Sequence, residues 1–117
     1  MDALIAAFKN SCAGLSHALR TERAVRQEAF ALAFAVPLAF VVSVGVWQFV
    51  ALVSVVLLVM AVELLNTSIE KLCDHVTPQI HPTIKIVKDM ASAAVLCALL
   101  IAGLVWLAAL AERLGFA

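Results

Sequence analysis

The sequence is short of charge. Only 14% of its 117 residues are Asp, Glu, Lys or Arg, and eight basic residues balance eight acidic ones. No basic surplus is present to hold nucleic acid, so a nucleic-acid partner is not expected. Cysteine is also scarce. Cys12, Cys73 and Cys97 show no C-x-x-C spacing, and an odd count at scattered positions is not a disulfide framework. They read as small apolar or interfacial residues of a reducing compartment. His17, His75 and His81 are not spaced as metal ligands, and His81 reads as a loop histidine between Pro78 and Pro82. No P-loop, G-x-G-x-x-G or H-R-D pattern occurs, so a nucleotide, if used, is held without the usual soluble devices. The acidic start Met1-Asp2, with no apolar core before a cleavage site, does not read as a signal peptide.

What the chain has in abundance is apolar residues, 65% of the total, with a mean hydropathy of +1.09. Soluble domains average roughly 45–50% apolar, and a single domain this small could not hide the excess. The composition argues against a soluble enzyme and a disordered chain, and for a polytopic membrane protein. The charges are also segregated. Ala29–Val62 is 34 residues without one, Met90–Ala111 is 22 more, and all but three of the sixteen lie in Lys9–Glu28 and Glu63–Asp89.

A helical span needs about 20 apolar residues, so the longer stretch suits two spans. Gly45-Val46-Trp47-Gln48 marks the break between them: Gly loosens a helix, Trp prefers the interface, and Gln48 is the stretch's only amide. Spans are expected at 28–46, 48–68 and 91–110, with Pro37 kinking the first rather than ending it. Ahead of them, Leu4, Ile5, Phe8, Cys12, Leu15 and Leu19 recur at helical spacing, with Lys9, His17, Arg20 and Arg23 mostly between. Such a segment, taken as 1–26, suits an amphipathic helix lying on a membrane surface. Seven Lys and Arg flank one side of the spans, against Arg113 on the other. The N-terminus and the loop between spans two and three are therefore expected to be cytoplasmic, and the C-terminus outside.

Within Val62–Asp74, Glu63, Asn66, Glu70 and Asp74 stand at i, i+3, i+7 and i+11, on one helix face, while Leu64, Leu65, Ile69 and Leu72 take the other. A carboxylate in a membrane helix is costly and by default a functional hypothesis. Several on one face repel one another and call for a counter-charge. Lys71 is adjacent in sequence but projects elsewhere; a magnesium ion suits the hard oxygen ligands better. Glu22, in the approach to the first span, can add a carboxylate, and Lys88, before the third, can neutralise a phosphate as a point charge. These groups gather at one membrane face and leave the outer half free of charge. A transporter or channel subunit would instead carry charge through the whole depth, and a scaffold needs no polar face at all.

These residues resemble a known family. Arg26-Gln27-Glu28, Val62-Glu63-Leu64-Leu65-Asn66-Thr67-Ser68-Ile69-Glu70 with Asp74, and Lys88-Asp89-Met90-Ala91-Ser92-Ala93-Ala94-Val95 are similar, in order and separation, to the small integral-membrane bacterial diacylglycerol kinases, a family that includes undecaprenol kinases. The resemblance implies an all-α membrane protein of the bacterial inner membrane. Each subunit would have a surface helix and three transmembrane helices, and homotrimers would share active sites between subunits. It implies transfer of the γ-phosphate of MgATP to a lipid hydroxyl at the cytoplasmic interface. Glu63 would then be the general base and Asn66 would position the reacting groups. Glu22 and Glu70 would hold Mg2+. Asp74, Gln79, Ile80, His81, Lys88 and Asp89 would join them around the nucleotide, and Arg26, Gln27, Glu28 and Ser92 would lie by the lipid headgroup with Glu63. Arg26–Glu28 and Ser92–Val95 resemble the diacylglycerol branch and Thr77–Pro82 the undecaprenol branch. Diacylglycerol is the expected substrate and undecaprenol the alternative. The reading requires Glu22, Glu63 and Glu70 to converge, within a subunit or across subunit boundaries.

Overall fold

The computed structural model describes residues 1–116, folded as four helices: α1 (Asp2–Thr21), α2 (Arg23–Val42), α3 (Val46–Val76) and α4 (Pro82–Arg113). The last three are long and apolar enough to cross a membrane.

The first break comes earlier than the sequence reading places it. α1 stops at Thr21 because Glu22 takes an extended conformation (φ −113°, ψ 115°), and Arg23–Gln27 therefore belongs to α2. Arg26 fixes the corner: its guanidinium donates to the Leu19 and Arg20 carbonyls at 3.2 and 3.1 Å, satisfying acceptors that a helix end leaves open. α2 runs through Pro37 and ends at Val42 rather than at residue 46. The Gln48 side chain explains the early stop. Its Oε1 accepts from the Val44 amide at 2.8 Å, closing a turn over 43–45, and its Nε2 donates to Glu112 at 3.0 Å, tying that turn to the end of α4.

α3 and α4, of 31 and 32 residues, are the longest elements. At 1.5 Å per residue each is about 45 Å long, half again the ~30 Å hydrocarbon core of a bilayer. They extend well beyond the expected spans 48–68 and 91–110, and their charged ends lie side by side. Burial along α3 follows a seven-residue row, Leu52, Val59, Asn66 and Cys73; on α4 Ala91 and Ala98 are buried with the same spacing. That repeat is the packing seam of left-handed helix pairs. Most of the buried residues of α2 and α4 are alanines, which let helix backbones approach in lipid, where packing rather than water expulsion drives association.

Two clusters pin the bundle. At the end near Gln48, Ala39, Val42, Leu52 and Ala109 close together with Phe49 and Trp106 packed on them. Trp106 Nε1 also donates to the Leu52 carbonyl at 3.2 Å. At the charged end, Ala18, Val25 and Met60 join α1, α2 and α3, with Leu19 and Leu64 alongside. Many large side chains stay uncovered, among them Phe30, Phe34, Leu57, Leu65, Leu96 and Leu104.

Candidate functional site

Three constellations gather at the charged end of the bundle. The first is on α3. Asn66 is buried, 9% exposed, in the seven-residue row, and its Nδ2 donates to Glu70 Oε1 at 3.1 Å. Its Oδ1 is buried with no partner among the described residues. An unsatisfied buried acceptor costs about 1–3 kcal/mol, so its retention needs a reason. One turn earlier Glu63 is half-buried and faces Glu28 of α2 closely enough for their charges to interact. Glu70, exposed, lies within electrostatic range of Lys88 on α4.

The second lies on the neighbouring side of α3. The Lys71 ammonium meets the Glu22 carboxylate at 2.9 Å, and these two edge a cavity of about 540 Å³ between α1 and α3, lined also by Leu15, His17, Leu64 and Thr67. Lys71 does project away from the Glu63–Asn66–Glu70 face, but its target is Glu22. The sequence gives no sign of that pairing, because the partners are 49 positions apart and only the corner at Glu22 brings them together.

The third is the α3–α4 junction. The turn after Val76 and the first two turns of α4 enclose a cavity of about 240 Å³ lined by Asp74, Gln79, Ile80, His81, Lys85, Lys88 and Asp89, among others. Lys88 donates to Asp74 and Lys85 to Asp89, each at 2.6 Å. His81 is the N-cap of α4: its Nδ1 accepts from the Thr83 amide at 3.1 Å, which leaves Nε2 as the protonated nitrogen. Pro82 at the first helical position needs no amide partner. Lys85, one of the seven basic residues that flank the spans on one side, is thus part of this cavity. Its spacing of four from Asp89 was a readable signal for the pair.

The structure therefore brings together Glu63, Asn66, Glu70 and Glu28 on one side, and Asp74, Gln79, Ile80, His81, Lys88 and Asp89 in one cavity. It does not bring Glu22 to Glu70 within the subunit, and among the described residues no three His, Cys, Asp or Glu side chains converge as a metal site. Arg26 is spent on the end of α1. Gln27 and Ser92 are exposed, Ser92 one residue beyond buried Ala91. For magnesium, the exposed Glu70 carboxylate is a suitable hard donor, and this ion usually needs only one or two carboxylates besides phosphate and water.

Comparison with known proteins covers nearly the whole chain. The family profile for prokaryotic diacylglycerol kinase matches residues 9–110. A diacylglycerol kinase of Haemophilus influenzae is 39% identical over 103 residues, 88% of this chain and 87% of its own length. One of Escherichia coli K12 is 41% identical over 103 residues, 88% of this chain and 84% of that protein. One of Pseudomonas aeruginosa is 38% identical over 96 residues, 82% and 78% of the two chains.

Proposed function

This chain belongs to the prokaryotic diacylglycerol kinase family, and from that premise we propose how its residues perform the reaction. It is a bacterial membrane enzyme, a lipid kinase that phosphorylates diacylglycerol. ATP is the donor: the γ-phosphoryl group passes to the lipid hydroxyl, the hydroxyl proton leaves, and ADP and phosphatidic acid result. The observation that carries the assignment is the Glu63–Asn66–Glu70 face of α3, with its unpaired Asn66 oxygen.

Phosphoryl transfer depends mostly on positioning and on neutralising charge. Glu63, between lipid-facing side chains and the polar helix end, accepts the proton of the attacking hydroxyl. Asn66 fixes the Glu70 carboxylate through its amide. Glu70 and a Glu22 would hold magnesium, which when bound offsets charge on the phosphates. Because Glu22 and Glu70 diverge within one subunit, the Glu22 that serves each site comes from a neighbouring copy in a homotrimer. The α3–α4 cavity takes the nucleotide, its base end at the Gln79–His81 turn and its phosphates toward Lys88. The Lys71–Glu22 pair occupies that carboxylate until the metal nucleotide arrives. α1 lies along the cytoplasmic membrane surface, Leu4, Ile5 and Phe8 toward lipid, and the C-terminus is outside. Diacylglycerol enters from the bilayer past Glu28.

The test uses purified protein in mixed micelles with labelled MgATP, offering diacylglycerol and undecaprenol in parallel. Label is expected in phosphatidic acid, and Glu63→Gln is expected to lower turnover at least about a hundredfold with helix content unchanged. Normal turnover in that variant removes the base assignment, and preferred labelling of undecaprenol removes diacylglycerol as the substrate.

A further inference from the structure

We propose that Lys85 is a second phosphate-binding residue of the α3–α4 cavity, gripping the β-phosphate, which stays on the leaving nucleotide. The inference rests on the nucleotide reading of that cavity.

His81, Lys85 and Lys88 stand at i, i+4 and i+7 on α4, so they form one face, and all three border the cavity. The two ammonium groups are one helical turn apart, about 5–6 Å at Cβ, on long flexible stems. That is within reach of successive groups of one polyphosphate. Each lysine is now held by a carboxylate, Lys85 by Asp89 and Lys88 by Asp74, so the cavity wall is neutral. Asp89 and Asp74 are both about two-thirds exposed, 63% and 65%. Ion pairs this exposed contribute little to stability and exchange readily. A phosphate brings more charge and more acceptor oxygens than one carboxylate, so it can draw both lysines off their present partners.

Position then divides the labour. α3 and α4 run antiparallel, with Asp74 beside Lys88, so moving up α4 from the turn leads toward Glu70 and then Glu63. Lys88 is on the side of the reacting face. Lys85 is one turn back toward His81, where the β-phosphate lies. That phosphate is present in both ATP and ADP and absent from AMP. Lys85 therefore contributes to holding either nucleotide, while its distance from the reacting face leaves the chemical step to others.

The experiment measures displacement of a trinitrophenyl-ATP probe from full-length protein in mixed micelles with magnesium, using ATP, ADP and AMP as competitors. In Lys85→Ala, ATP and ADP are expected to bind about tenfold more weakly, the loss of one charge-assisted contact. AMP affinity is expected to stay as in the wild type, the salt dependence of ATP binding to flatten, and Lys85→Arg to recover most of the affinity. In turnover, KM for ATP rises with kcat changed little. Equal affinities for all three nucleotides in Lys85→Ala and wild type overturn the proposal. So does equal weakening of AMP with the others, because Lys85 then acts only by shaping the turn. If wild-type protein binds no nucleotide at all, the nucleotide reading of the cavity fails and takes this assignment with it.

Discussion

Asn66 stands in the buried row of α3 between Val59 and Cys73, positions where an apolar side chain packs at no cost. Its Oδ1 has no donor among the described residues, and its amide is committed to Glu70. Asn66→Leu replaces a polar group by an apolar one of similar shape and removes the orphaned oxygen. It is expected to stabilise the fold by about 1–2 kcal/mol, read as greater resistance to detergent-induced unfolding, while abolishing lipid kinase activity. A destabilised variant would mean that Asn66 is a structural residue. Glu70→Ala removes one proposed metal donor and is expected to raise the half-saturating magnesium concentration about tenfold, which a magnesium titration of activity checks. An unchanged titration would count against Glu70 as a ligand.

The elements are held chiefly by packing, and magnitudes decide which contact matters. Leu52 is fully buried where α2, α3 and α4 meet, and its carbonyl accepts the Trp106 indole hydrogen bond. Leu52→Ala leaves a cavity and is expected to cost about 3 kcal/mol, whereas Trp106→Phe forfeits one hydrogen bond within a membrane, worth about 0.6 kcal/mol. Comparing the two unfolding curves checks the order; a larger loss in Trp106→Phe would reverse it. This scale also shows what the sequence could disclose. The two charge-free stretches announced the membrane helices, because hydrocarbon excludes charge over a fixed length. The helix ends were less legible. Gln48 reads as an interface marker, yet it caps the Val44 turn and reaches Glu112. Arg26 reads as a juxtamembrane charge, yet it closes the end of α1. Both roles depend on partners that only the folded corner brings near. The polar face of α3 was legible because helical periodicity is local, whereas the Lys71–Glu22 pair, across two helices, was not.

At the scale of the whole molecule, Glu22 poses the geometric problem. Within one chain it sits against Lys71, while Glu70 turns to Asn66 and toward α4, and Glu63 faces Glu28. On the proposed assignment one chain holds two separate halves of the site, and it leaves large apolar side chains such as Phe30, Phe34, Leu57 and Leu104 uncovered. Those side chains can face lipid or another copy. In a cyclic assembly the two half-sites differ and meet head to tail, so each Glu22 can complete the Glu63–Asn66–Glu70 face next to it. In the proposed homotrimer, Glu22→Ala and Glu63→Gln should each abolish activity. Unfolded together in equal amounts and reassembled, they should regain about a quarter of wild-type activity, since random mixing in a ring places two intact halves side by side in about one site of four. If one chain supplied both carboxylates to its own site, every site in the mixture would carry a defect and activity would stay at the level of the separate variants. With an affinity tag on one variant, co-purification of the untagged chain confirms that the subunits have exchanged, so that an absence of recovery counts against the shared site rather than against mixing.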